Sequence, residues 1–263
     1  MCLTAVTKTD QSIQYWLEQL PPISLDEMSG IKLMNRTDTK FVTNKRKLAA
    51  LLEMAQGQYY AQQIEGSRIA NYRTVYWDTP EYRFFLEHHN GRAPRQKIRV
   101  RTYLDSDLTF LEVKTKNNHG RTKKKRITVP DHDRHDIIEA GGSDFTFKLT
   151  GETFDGINPT VQNRFQRITL VNKGKTERLT IDFNVQFHNF ETEEDAETGE
   201  LVIIELKRDG NVYSPVLDIL RRLRIKASGF SKYCIGSVMT NDHLKHNRFK
   251  PKLAWVRHLV NSH

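Results

Sequence analysis

Residues 97–116 read KIRVRTYLDSDLTFLEVKTK, two strand-like runs on either side of a turn at Asp105-Ser106-Asp107. In the first run Lys97, Arg99, Arg101 and Tyr103 alternate with Ile98, Val100, Thr102 and Leu104. In the second, Glu112, Lys114 and Lys116 alternate with Leu111, Val113 and Thr115. Successive side chains of a strand point to opposite faces, so each run has one charged and one largely apolar face. For one hairpin, a wet face over a core explains this fully. The question is whether other strands repeat it.

The chain has 263 residues, 37% of them hydrophobic and 28% charged, with a formal net charge of +9. That composition fits a globular fold, and the basic excess favours an anionic partner: nucleic acid, phosphate compounds or an acidic membrane surface. Cys2 and Cys234 form neither a disulfide framework nor a zinc site, and they suit a reducing cytoplasm. The opening MCLTAVTKTDQSIQYW has no basic region ahead of an apolar core, so no signal peptide is expected. No run approaches the roughly 20 apolar residues of a membrane span.

Along the chain, Ser24 and Glu27 have capping-box spacing and predict a short helix within 24–34. NRTDTKFVT predicts a strand. Asn44 then caps a helix with Leu48, Leu51, Leu52 and Ala55 on one stripe. IANYRTVYWD predicts a strand, and TPEYRFFLEHHNG a Pro-started helical turn closed by Gly91. GRTKKKRITV is a third strand after the opening hairpin. Residues 131–160 give no clear pattern. Strands resume at NRFQRITL, ERLTIDFNV and LVIIELK, the last two separated by the acidic hairpin ETEEDAETGE. Ser214 and Pro215 open a helix, and the basic tail 241–263 carries Trp255. With no repeat and no low-complexity linker, one domain is expected.

The alternation does recur. Asp38 and Lys40 share a face; Lys124 and Arg126 oppose Ile127 and Val129; Arg167 opposes Ile168 and Leu170. Arg178, Thr180, Asp182 and Asn184 oppose Leu179, Ile181, Phe183 and Val185, and Glu205 and Lys207 oppose Val202, Ile204 and Leu206. Gathering cations on one surface is unfavourable without a compensating anion. These faces predict an α+β fold: a closed antiparallel β-tunnel of about eight strands, polar face inward and helices outside. Such a lumen suits a linear polyanion, with its few carboxylates reserved for a divalent metal.

The segments LMNRTDTKFV, YRTVYWDTPEYRFF, KIRVRTY, FLEVKTK, GRTKKKRI, NRFQRITL, RLTIDFNV, IIELK and GFSKYCIG, in this order, resemble the VTC domain of polyphosphate polymerases. That domain is one of the CYTH-like triphosphate tunnel metalloenzymes. The resemblance covers roughly 33–240, leaving an N-terminal helical segment and the basic tail outside it. It implies phosphate binding by Lys40, Arg99, Arg101, Lys114, Lys124, Arg126, Arg167, Arg178 and Lys232. Of these, Arg99, Arg101 and Lys114 would act with Glu205 in catalysis. Glu205 would hold Mn²⁺ or Mg²⁺, with Glu112, Asp182 and Asp38 as further candidates. Implied partners are ATP and inorganic polyphosphate or pyrophosphate, in the cytoplasm or, through a separate membrane protein, at a membrane's inner face. Where many tunnel enzymes begin Glu-x-Glu-x-Lys, this chain has Arg36, Asp38 and Lys40. Exchanging a carboxylate for a cation fits a polymerase or chain binder better than a water-activating hydrolase.

Three rivals remain: a triphosphatase on this scaffold, a non-catalytic polyphosphate- or pyrophosphate-binding module, and a nucleic-acid binder. The last is disfavoured because the cation-bearing faces are expected to carry few aromatics for base stacking. His88, His89, His132 and His135 read as structural or loop residues. Trp77 and Tyr82 also read as structural, with Asp78 and Thr79 fixing a turn.

Overall fold

A computed structural model describes residues 7–29, 36–210 and 212–261; Cys2 and the end of the expected 24–34 helix lie outside them. The first half of the chain comprises α1 (Lys8–Gln19), β1 (Pro22–Ile23), α2 (Leu25–Ser29), β2 (Arg36–Asn44), α3 (Lys45–Met54), β3 (Tyr59–Gln62), β4 (Ala70–Asp78), α4 (Arg83–His89), β5 (Arg95–Tyr103), β6 (Leu108–Lys116) and β7 (Thr122–Thr128). The second half adds α5 (Arg134–Glu139), α6 (Gly142–Thr150), β8 (Asn158–Asn172), β9 (Glu177–Asn189), β10 (Asp195–Glu197), β11 (Leu201–Asp209), α7 (Pro215–Arg222), α8 (Lys232–Thr240) and α9 (Lys250–Asn261).

Local signals work as their chemistry requires. Thr7 and Asp10 close a capping box on α1, and Ser24 and Glu27 exchange the same bonds at α2. The Asn44 carboxamide accepts from the Lys47 amide and starts α3. Leu48, Leu51 and Leu52 of α3 are all fully buried. Each contributes about 1.5 to 3 kcal/mol by leaving water. The start of α4 departs from expectation. The Asp78 carboxylate, not a proline, organises it by accepting from the amides of Thr79, Phe84 and Phe85.

Eight strands follow one antiparallel path, β2-β11-β9-β8-β4-β5-β6-β7. β3 adds to β8, β10 to β9, and β1 runs parallel to β3. One face of this sheet is apolar and covered from outside. α1, α3 and α7 pack on Ile168, Leu170, Leu179, Ile181, Val202, Ile204 and Leu206, whereas α5 and α6 pack near Val75, Trp77, Ile98, Val100, Leu111 and Val113. The other face carries the charges. Lys114 on β6 lies within electrostatic reach of Glu205 on β11 and Lys40 on β2, although most of the sheet path separates these strands. The sheet is therefore curled, with the charged face concave.

The expected curl of eight antiparallel strands is present. Among the described residues no ladder joins the terminal strands β2 and β7. The free edge of β2 is instead occupied by the segment before α8: Phe41 bridges Ala227, and the Ser228 amide donates to the Lys40 carbonyl at 2.8 Å. The Lys97 ammonium on β5 donates to Ser231 Oγ at 2.7 Å, so this segment touches both flanks of the curl. A strand edge satisfied in this way has fewer free groups for a further ladder.

The concave face is also not polar throughout. At one end α4, α8 and α9 cover an apolar cluster that includes Val42, Tyr76, Val161, Phe187 and Ile203. The Tyr233 hydroxyl ties α8 to Asp78. Among the described residues no helix is long and apolar enough to cross a membrane.

Candidate functional site

Register assembles the site. Arg99 lies opposite Glu112, which lies opposite Arg126; Lys97 lies opposite Lys114, which lies opposite Lys124. Arg101 faces Thr74, Arg167 faces Asp182, and Glu205 faces both Lys40 and Thr180. Lys207 lies between Asp38 and Arg178. Arg36 starts β2. The sequence-predicted residues from Lys40 to Lys232 thus meet on one curled face, with Arg126 and Lys124 at its more exposed side.

Three carboxylates organise the cations. Glu112, fully buried, accepts from Arg99 Nε at 2.7 Å and Nη2 at 2.6 Å through Oε2, and from Lys124 Nζ at 2.6 Å through Oε1. Asp182 accepts from Arg167 Nε at 2.6 Å and Nη2 at 2.8 Å, and from Lys232. Glu205 Oε2 pairs with Lys207 at 2.7 Å, while Oε1 has Lys40 at 4.0 Å. Each carboxylate is shared by two basic side chains, so each cluster carries one positive charge in excess when both are protonated.

The electrostatics reflect that surplus. Burial pushes all three carboxyls up, but the neighbouring cations more than offset it and hold them well below the usual range. Burial, then the charges of Arg99, Lys40 and Lys97, push the Lys114 ammonium down to about 8 against the pull of Glu205. Lys232 falls to about 7 through burial, because Asp182 is already shared with Arg167. Arg101 is disfavoured by burial and by Arg99 and Arg167, and its Nε donates to Thr74 Oγ1 at 3.1 Å. Even His88, at the end of α4, is pushed down to about 2 by burial and by Lys97, Arg95, Lys40 and Lys116.

The expectation of few aromatics on this face is wrong. Arg167 lies 5.0 Å from the Tyr72 ring and 5.3 Å from Phe165; Lys232 Nζ lies 4.0 Å from Phe165, and Arg126 lies 4.2 Å from Phe110. The signal was present in the sequence: Phe165 is two residues from Arg167, Phe110 two from Glu112, and Tyr103 two from Arg101. Tyr72 and Phe165 are buried, so they pack against cation stems and are closed to a stacking base. One further polar residue, Asn163, escaped the sequence reading. Both its amide atoms, like Thr180 Oγ1, are buried on this face with no hydrogen-bond partner. Buried polar groups are rarely left so.

The histidines lie elsewhere. His89 Nε2 faces the Arg248 amide, and His132 Nε2 lies 2.5 Å from Thr102 Oγ1. His135, Asp136 and Glu139 on α5 form the one group of three or more closely spaced metal-type ligands among the described residues, and His135 and Glu139 are exposed. Glu112, Asp182, Glu205 and Asp38 form no such group.

The family model of the VTC domain matches residues 35–241. The chain belongs to the VTC-domain family. Among solved structures, it is similar to HpAC1 from Hippeastrum, an adenylyl cyclase by provisional name with a dominant triphosphatase activity. Identity is 12%, over 79% of this chain and 97% of that one, with a TM-score of 0.50. A Bacillus halodurans protein provisionally named an adenylate cyclase is 12% identical over 75% of this chain and 96% of its own, with a TM-score of 0.49. At such identities the likeness to HpAC1 establishes the fold, that of the CYTH-like tunnel proteins. A comparison with curated proteins finds no match. The chain is thus a VTC-domain protein with a tunnel-type fold.

Proposed function

We propose that this VTC domain is a metal-dependent polyphosphate polymerase, transferring the γ-phosphoryl group of ATP to a growing polyphosphate chain. The observation that carries this reading is the uncompensated charge: Glu112, Asp182 and Glu205 each serve two cations. A face built this way is completed by a polyanion.

Arg99, Arg101 and Arg167 offer planar donor forks to phosphate oxygens, whereas Lys40, Lys114, Lys124 and Lys232 act as point charges. Arg178 and Lys207 extend the charged track along β9 and β11. Lys114 and Lys232 gain protons as phosphate arrives, which strengthens the grip when it is needed. A terminal oxygen of the acceptor chain attacks the γ-phosphorus, the bond to the β–γ bridging oxygen breaks, and ADP leaves. The attacking oxygen is already anionic near neutral pH, so no strong general base is required. The residues align two mutually repelling anions and neutralise their charge.

A divalent metal fits here with Glu205 as its protein ligand, because Glu205 Oε1 has only the 4.0 Å contact with Lys40. Mg²⁺ and similar ions commonly take one or two carboxylates and complete their shell with phosphate oxygens and water. When bound, Mn²⁺ or Mg²⁺ would supply further charge neutralisation at the transferred group. Glu112 and Asp182 instead hold arginines in position, since both oxygens of each are occupied by cations.

Two variants separate these roles. Arg101→Ala should weaken tripolyphosphate binding with or without Mn²⁺, by about 2 to 5 kcal/mol for a buried charge-assisted contact. Glu205→Ala should preserve or strengthen metal-free binding and suppress metal-dependent turnover. Calorimetry and product analysis on both variants test this. Full metal-dependent synthesis by Glu205→Ala would remove Glu205 from the metal site.

A further inference from the structure

We propose that Phe110, Tyr103 and Arg126 form a subsite for a nucleobase at the rim of the concave face. The proposal rests on the polymerase reading and adds how the donor's nucleoside is held. The Arg126 guanidinium lies 4.2 Å from the Phe110 centroid, and Tyr103 meets Phe110 edge-on at 5.8 Å and 86°. Unlike buried Tyr72 and Phe165, both rings are only half-buried, and Arg126 is exposed.

Arg126 has no charge partner to explain its place. The nearest carboxylate in register is Glu112, whose oxygens are held by Arg99 and Lys124. Among the described residues no ion pair includes Arg126. A guanidinium resting on one ring keeps its other flat face open, and planar heterocycles stack on such faces as they do on aromatic rings. A ligand made only of phosphate gains nothing from this apolar plate.

The position also matches the geometry of a nucleotide. Phe110 lies directly opposite Arg101, one strand away, and Arg126 lies opposite Glu112 in the row of Arg99, two strands away. A base stacked here would direct its triphosphate along Arg101 and Arg99 toward Lys114, Lys40 and Glu205. That assigns a polarity: nucleoside at the Tyr103–Phe110 end, γ-phosphate beside Glu205. Arg126, which the motif resemblance groups with the phosphate ligands, becomes a base-stacking residue.

The test compares ATP with inorganic tripolyphosphate by metal-free calorimetry on the full chain. Phe110→Leu should weaken ATP binding by about 5- to 150-fold, the range of one base–aromatic stack, and change tripolyphosphate affinity by less than about twofold. Phe110→Tyr, which keeps a flat ring, should retain parental affinity for both. Equal weakening of both ligands by Phe110→Leu would make Phe110 structural and overturn the subsite, as would unchanged ATP affinity. If the parent binds tripolyphosphate but Phe110→Tyr loses ATP binding, the stacking account also fails. If the parent binds neither ligand, the anion-binding reading itself falls and takes the subsite with it.

Discussion

Replacing Glu112 with glutamine keeps the shape of the side chain and removes its charge. Glu112 is fully buried and Arg99 is 16% exposed, so neither is strongly screened by solvent. The Arg99 Nε and Nη2 contacts at 2.7 and 2.6 Å would then end on a neutral oxygen or a repelling amide. Arg99 would also face Arg101 with no nearby counter-charge. Breaking one partner of a buried ion pair costs about 3 to 5 kcal/mol. For a chain of this size each kcal/mol moves the midpoint by about 2 to 4 °C, so Glu112→Gln should melt about 6 to 20 °C lower. Tripolyphosphate should restore much of that loss, because the anion supplies the missing charge. The ligand-induced rise in Tm should therefore be larger in the variant than in the parent. Thermal unfolding of both proteins, with and without saturating tripolyphosphate, tests this. A variant as stable as the parent, or one that tripolyphosphate fails to rescue, would refute the positioning role. Loss of affinity seen only with Mn²⁺ would make Glu112 a metal ligand instead.

Protonation gives a second prediction. With Lys114 near 8 and Lys232 near 7, both are partly neutral at pH 8 and should take up protons when tripolyphosphate binds. Calorimetry in two buffers of different ionisation enthalpy should show net uptake at pH 8 that shrinks toward pH 6; no uptake would contradict the lowered values. The same two groups bind more protons in the unfolded chain from about pH 7 up to the ordinary lysine value of 10.5, so their contribution to stability rises with pH across that window. Gly236 of α8 gives a third: an added Cβ would overlap the Phe187 ring. Gly236→Ala should cost about 1 to 3 kcal/mol in chemical denaturation, and by shifting α8 it should also weaken tripolyphosphate binding through Lys232.

The strands and their charged face were legible because a strand's period of two is local. Arg99, Arg101, Glu112 and Lys114 could be assigned to one side without knowing their partners. The same logic located Lys40, Arg167, Asp182 and Glu205, and ordered motifs supplied the family. What escaped depended on long-range contacts. Residues 131–160 fold as α5 and α6 because β4–β6 offer an apolar outer face, which no local pattern announces. The Tyr233–Asp78 bond and the cover of α8 over one end of the concave face join segments far apart in sequence. The register shift between Arg164 and Gln166, opposite the left-handed Asn184, breaks the simple alternation on β8 and β9. The ion pairs were only partly legible. Spacing showed which carboxylates share a face with cations, but not that each would be divided between two.

The central claim is phosphoryl transfer to a phosphate chain on this face. Its most direct test is incubation of the protein with ATP and Mn²⁺, resolving polyphosphate, ADP and free phosphate in one run. The account predicts polyphosphate and ADP accumulating together with little free phosphate, and loss of both products in Arg101→Ala. Stoichiometric free phosphate without polymer would replace the polymerase with a triphosphatase. Tight tripolyphosphate binding with no product at all would leave a binding module in its place.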